Sequence, residues 1–292
     1  MTSIPSPGSI RLDRVSNFRD VGLFCNALSG RRVLKTGVLF RSARPDFATP
    51  SDIDLLQHGL KIRTIIDLRS KTEQLQLATS ASPSSASPAP IPHPTPSPPS
   101  PLPLPTTKIN LNGPLFQLRL ISLLPFLSAC HLILLYLFNH RVPAIRILSK
   151  AMAPRGLHGL ARDTLLASWY EMRALFVQLA RGDNWPVLIH CTQGKDRTGL
   201  TVLLLEMLVG VDEAVSERGY MASQRELEGE REGRVREIEE VGLPAEWADC
   251  EAGWVQKTRG FVVERWGGAE EYLKWCGVTA QDIGRVRENL AA

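Results

Sequence analysis

The chain has 292 residues, 43% of them hydrophobic and 22% charged, with a net charge of +4. That is ordinary globular composition with ample material for a core, and the mild positive balance suits anionic ligands without arguing for a nucleic-acid partner. Its five cysteines (Cys25, Cys130, Cys191, Cys250, Cys276) are odd in number and lack metal-ligand spacing, which points away from a metal centre and towards a reducing, cytoplasmic setting.

Residues 1–14 hold Pro and Ser with no apolar run, so they read as a flexible tail without a secretory signal. The folded part, a single domain over 15–292, opens with Asn17-Phe18-Arg19-Asp20-Val21-Gly22. Val38 to Phe40 in Gly37-Val38-Leu39-Phe40-Arg41-Ser42 predicts a short buried strand that delivers Arg41 to a rim. Arg19, Asp20 and Arg41 allow two readings: a structural ion-pair network, or arginines close to an anion site. Thr49-Pro50-Ser51-Asp52 starts a helix, Ile53, Leu55, Leu56 and Leu60 form its apolar face, and Gly59 closes it. Ile62 to Ile66 is a β-branched strand leaving through Asp67-Leu68-Arg69-Ser70, where Asp67 and Arg69 are expected to pair at the rim. Strand, helix, strand in this order predicts a parallel sheet.

Residues 79–107 are dominated by Ser, Pro and Ala, without periodicity, and read as a disordered insertion within the domain. Lys108 to Leu111 resumes the sheet. Leu120 to Asn139 runs without a charge and is long enough to cross a bilayer. Pro125 and His131 interrupt it, and it lies between two pieces of one sheet, so a buried or lid helix is expected, with peripheral membrane contact through 120–138 as the alternative. Met152 to Leu160 reads as a loop, and 162–181 as one helix bearing Leu165, Leu166, Trp169, Met172, Leu175, Phe176 and Leu179 at helical spacing.

Val187-Leu188-Ile189-His190-Cys191-Thr192-Gln193-Gly194-Lys195-Asp196-Arg197-Thr198-Gly199 carries the chemistry. A β-branched strand ends at Cys191, a short loop comes next, and a buried helix begins at Arg197 with Leu200, Val202, Leu203, Leu204, Met207 and Leu208. Loop amides and a helix N-terminus converge on an anion. A thiolate among such amides is stabilised as the nucleophile. The Arg197 fork matches two phosphoryl oxygens, which Lys cannot do. Thr198 can donate to the sulfur or to a phosphate oxygen. A Walker A loop is excluded, because Ile189 stands where it needs Gly and Asp196 where it needs Ser or Thr.

On these residues, and on the Asn-Phe-Arg-Asp, Gly-Val-Leu-Phe-Arg-Ser and Asp-Leu-Arg-Ser stretches, the chain resembles the atypical protein tyrosine/serine phosphatases of bacteria and fungi, within the cysteine-dependent phosphatases. Trp266-Gly267-Gly268 to Leu273 and Gly277-Val278 resemble the closing helices of that family. The resemblance implies an α/β fold with a mostly parallel sheet of about four or five strands, flanking helices and extra C-terminal helices. It also implies phosphomonoester hydrolysis through a phosphocysteine, on phosphotyrosine and also phosphoserine or phosphothreonine proteins. Cys191 and Arg197 would be catalytic. Thr192, Gln193, Gly194, Lys195, Thr198 and His190 would bind substrate, with Arg41, Asp67, Arg69 and Asp163 at the rim. No cofactor or metal is needed, and a monomer is expected. The chain has no Trp-Pro-Asp loop, and Gly219 precedes Tyr220 where relatives carry Asp. Asp196 is then the first candidate for the general acid, and Asp163 the second. Lys195 resembles a residue of phosphoinositide phosphatases, so a phosphoinositide or inositol phosphate substrate is the alternative. A non-catalytic phosphate-binding protein is a further one.

Overall fold

The computed structural model describes residues 7–71, 73–74, 102–138 and 140–292. Five strands make one sheet: β1 (Arg19–Asp20), β2 (Leu39–Ser42), β3 (Thr64–Asp67), β4 (Thr106–Lys108) and β5 (Val187–His190), in the spatial order β1-β2-β5-β3-β4. Among these strands only the β1–β2 pairing is antiparallel. This is the mostly parallel α/β architecture expected from the sequence. Successive side chains of a strand point to opposite faces. Leu39, Ile66, Val187 and Ile189 therefore enter one core, under most of the helices. Phe40, Ile65 and Leu188 enter a smaller one with Phe18, Leu56 and Ile62.

Register decides where chemistry can occur. Ser42, His190 and Asp67 lie side by side at the C-terminal ends of β2, β5 and β3. The loop leaving β5 therefore emerges at the centre of the sheet, flanked by the exits of its two parallel neighbours, the usual place for a ligand in an open α/β sheet.

The structure differs from the sequence reading at four places. Of the expected tail, the described residues 7–14 lie on the body: Leu12 is buried, and Asp52 accepts from the Asp13 amide at 2.7 Å. Of the expected disordered insertion, 79–101 lies outside the described residues. At its end, however, Leu104 is buried and β4 already begins at Thr106, because edge pairing with β3 satisfies this backbone.

After helices α1 (Val21–Ser29) and α2 (Pro50–Asp54), the charge-free run is two helices rather than one. Helix α3 (Pro114–Ser122) and α4 (Phe126–Leu137) are separated where Pro125 cannot continue the first. Helix α4 is not a buried helix, since Leu132 at 0% exposure is its one fully buried large side chain among the described residues, while Phe126 and Leu127 are each 80% exposed. The fourth difference concerns the loop expected over 152–160 and the helix expected over 162–181: α5 (Arg141–Met152) runs into the first, and α6 (Gly156–Ala167) and α7 (Trp169–Leu179) divide the rest. Ser168 breaks the expected long helix by leaving helical geometry, and its hydroxyl donates to the Leu111 carbonyl at 2.5 Å.

Candidate active site

Strand β5 carries the chain to Cys191, and α8 (Asp196–Leu208) takes it away, so five residues must turn between them. The turn is held through its carbonyls. His190 Nδ1 donates to the Cys191 oxygen at 3.1 Å, the Arg44 amide to Thr192 at 3.1 Å and Asn17 Nδ2 to Gln193 at 3.0 Å. Arg41 Nη2 donates to Gly194 at 2.6 Å, and the Gly199 amide to Lys195 at 2.8 Å. A planar trans peptide points its N–H opposite to its C=O. Five successive carbonyls, three of them held by residues outside the strand–loop–helix segment, therefore turn the amides of residues 192–196 towards the inside of the loop. One of them, from Gly194, donates to Cys191 Sγ at 3.2 Å. Gly194 sits at φ +69°, and a Cβ there would lie 2.1 Å from the Ser42 carbonyl oxygen. Only glycine lets the loop close against β2.

The anchors are themselves fixed. Arg19 holds the Asn17 side-chain oxygen and donates to the Gly219 carbonyl at 2.6 Å and to Ser223 Oγ at 3.0 Å. Burial lowers the pKa of both Arg19 and Arg41 and raises that of Glu206, whose nearby negative charge favours both cations. Under the loop, Arg69 bonds Asp67 and Asp46 with its whole fork, at 2.6 to 3.0 Å. Burial keeps His190 below its ordinary imidazole value against the pull of Asp67, while its Nδ1 faces the Cys191 carbonyl.

At the mouth, Arg197 meets a residue to which the sequence reading assigns no role. Glu73 accepts from Arg197 Nη1 at 2.8 Å and Nη2 at 2.5 Å, from Thr192 Oγ1 at 2.6 Å, and from the Ser70 amide at 2.9 Å. Burial alone would raise the Glu73 carboxyl. The Arg197 charge, and hydrogen bonds from Arg197, Thr192 and Ser70, outweigh it and hold the group well below the ordinary carboxylate range. Arg197 mirrors this: burial lowers it, but Glu73 and Cys191 raise it above its ordinary value. The spacing Ser70-x-x-Glu73 is the available signal, a capping-box pattern whose acid is tied back to the strand exit.

The structure therefore gathers Cys191, Thr192, Gln193, Gly194, Arg197, His190, Arg41, Asp67 and Arg69 at the end of β5. Two expectations are altered. Lys195, expected to present a cation over a phosphate, is 0% exposed, and its ammonium lies 2.9 Å from Asp196 Oδ1. Asp163, the second candidate acid, is 1% exposed and holds Arg119 and Arg155 at 2.8 to 3.1 Å. Its carboxylate is taken up in pinning α3 to α6, rather than standing free at the rim. The Thr198 hydroxyl and the Gln193 side-chain oxygen are buried without a hydrogen-bond partner among the described residues. A cleft of about 600 Å³ opens beside the loop and touches it at Thr192 and Gln193, with Arg14, Arg44, Arg234 and Glu237 on its other walls. No cluster of three or more His, Cys, Asp or Glu suited to a metal ion occurs among the described residues.

A thiol inside a ring of amides, with a guanidinium at its mouth, defines the class of proteins that bind a tetrahedral oxyanion against a cysteine. The sequence pattern of the tyrosine phosphatase family matches residues 10–292, and the chain belongs to that family. It is 32% identical over 129 residues to a tyrosine-protein phosphatase of Nostoc commune, covering 41% of this chain and 44% of that protein. It is 25% identical over 294 residues to a putative tyrosine-protein phosphatase of Cupriavidus necator, covering 99% of this chain and 91% of that protein. The chain thus matches less than half the length of the Nostoc relative.

Proposed function

We propose that this site hydrolyses phosphomonoesters, phosphotyrosine in proteins foremost, through a phosphocysteine. The observation that carries the reading is the loop itself, whose carbonyls are held by outside donors while its Gly194 amide donates to Cys191 Sγ. Cys191 Sγ attacks phosphorus in line, the sulfur–phosphorus bond forms, and the bond to the leaving oxygen breaks. The amides and Arg197 stabilise the charge on the three equatorial oxygens. Asp196 gives its proton to the leaving oxygen, then takes one from the water that displaces Cys191 and releases phosphate. Glu73 positions the Arg197 fork, and Lys195 fixes the Asp196 side chain. No cofactor enters, and the enzyme is read as a cytoplasmic monomer.

Cys191 is only 3% exposed, which favours a phosphate on a long aromatic stem over one on a short serine side chain. A phenol also leaves more easily than an alkoxide. The second reading, a phosphoinositide substrate, is favoured by the exposed apolar helix α4, on a segment that leaves the edge strand β4 at the same C-terminal side of the sheet as Cys191 leaves β5. The burial of Lys195 weakens it.

Initial rates on phosphotyrosine peptides, phosphoserine peptides and phosphoinositides test the ranking, and the expected order is phosphotyrosine first. Cys191→Ser should lower all of them by about 10⁴-fold or more. Turnover that survives this change overturns the thiolate mechanism, and a wild-type protein that binds phosphate esters without turnover leaves the non-catalytic reading. Asp196→Asn should slow phenyl phosphate far more than p-nitrophenyl phosphate, whose leaving group needs no proton. Equal losses on the two would remove Asp196 as the acid.

A further inference from the structure

Helix α4 inverts the usual rule for a surface helix. Its inward side is anchored by Leu132, while Phe126, Leu127, Ile133, Leu134 and Leu137, with Phe138 just beyond it, point outward at 52% to 80% exposure. These recur at the spacing of one continuous helical face. Residues 115–138 carry eight of the thirteen exposed large apolar side chains among the described residues. A patch of this kind on a folded protein marks an interaction surface.

Charge says what kind. No Asp or Glu occurs between Glu73 and Asp163, whereas Lys108, Arg119, Arg141, Arg146, Lys150, Arg155 and Arg162 all do. Arg119 and Arg155 are tied to Asp163. Lys150 and Arg146 stand exposed one turn apart on α5, which packs beside α4, and Arg146 Nε donates to the Glu240 carbonyl at 3.1 Å. Two exposed aromatics, Trp169 and Tyr170, open α7 next to the start of α3, where Glu171 packs on Gly113. An apolar face, a cationic flank and neighbouring aromatics are what a lipid–water boundary accepts. Twelve residues of helix span about 18 Å, too short to cross a bilayer and suited to lying in its surface. No helix among the described residues is long and apolar enough to cross a membrane.

Two other occupants fit less well. A second copy docked through the same face would set Lys150 and Arg146 near their own counterparts, like charge against like. Residues 75–101 offer only Leu75, Leu77 and Ile91 as large apolar side chains, too few to cover the face. We propose that the α3–α5 segment docks the protein on anionic lipid bilayers, with the outward face of α4 entering the headgroup boundary and Arg146 and Lys150 meeting the acidic headgroups. This docking surface is independent of which phosphate ester the site accepts.

Co-sedimentation of the full chain with vesicles of phosphatidylcholine alone, or with about one-third phosphatidylserine, tests it. The wild type should bind the anionic vesicles more strongly, and less so as salt rises. Phe126→Ser with Leu127→Ser should weaken binding by about tenfold or more. Lys150→Glu should remove most of the gain from phosphatidylserine. Because all three side chains are exposed, melting temperature and p-nitrophenyl phosphate turnover should stay unchanged and certify the fold. Equal binding by wild type and double variant overturns the proposal, as does absence of binding to either vesicle. Light scattering that finds a dimer, made monomeric by the double variant while vesicles are ignored, would assign the face to a second copy instead.

Discussion

Around Cys191 the carbonyls of the loop are engaged, most of them with partners from distant parts of the chain. Its carbonyls take donors from Asn17, Arg41, Arg44 and His190, and the arginine at its mouth is gripped by Glu73. Around α4 the arrangement is reversed, with apolar side chains facing outward and few anchors, chiefly Leu132 against Phe116, Leu120, Ala144 and Leu148, plus the Asp163 pin. The first region is over-determined, so its shape is set before any ligand arrives and each donor is pre-aimed. The second is held at a few points, and the rest of its surface is left for something else to complete. A rigid site beside a sparsely anchored appendage is how a fold separates chemistry from location.

The change that should disturb this contrast most is Gly194→Ala. The new methyl must occupy space 2.1 Å from the Ser42 carbonyl, at a φ that side-chain-bearing residues disfavour. Neither the β2 backbone nor the loop can yield without releasing an anchored carbonyl. Activity should fall by about 10²-fold or more, with about 1–3 kcal/mol of stability lost. A variant of near-normal rate, measured on p-nitrophenyl phosphate alongside its melting temperature, would show that the loop is softer than its hydrogen bonds imply.

Glu73→Gln comes next and separates positioning from bulk stability. It keeps the shape but loses the charge that aligns Arg197, so kcat/KM should fall by about tenfold to a hundredfold, chiefly through kcat. It should also alter acid sensitivity. The folded Glu73 carboxyl lies below its unfolded value of about 4.3, so its contribution is complete above that pH and lost as pH falls beneath it. Wild type should therefore lose melting temperature more steeply than the variant below about pH 4, and the two curves should converge. Parallel curves would mean that the pair adds nothing net.

The physics of each part decides how far the sequence announces this contrast. The β-branched runs at Ile62 and Val187 and the Cys-to-Arg loop are legible because strand burial and anion binding are local in sequence. Lys195 misleads, since a lysine looks cationic in any string, and only the fold shows its ammonium turned inward against Asp196. Glu73 escapes notice because its partner is 124 positions away. The outward face of α4 is hidden for the opposite reason. An apolar residue reads as core, and periodicity cannot say which side of a helix the protein covers.

A pair of substitutions within α4, the second with the smallest effect of all, tests that last point directly. Leu132 is buried at 0% exposure and Leu137 is 75% exposed, five positions apart on one helix. Leu132→Ala opens a cavity in the cluster with Phe116 and Leu148 and should cost about 2–4 kcal/mol. Leu137→Ala should shift stability by no more than about 0.5 kcal/mol. Denaturant unfolding of the purified chain, free of lipid, reads both. If the two substitutions cost the same, the outer face is already covered by the protein itself and nothing is left for a membrane to bury. If the predicted inequality holds, Leu137 adds little to the fold, as an outward side chain left for another surface to bury should.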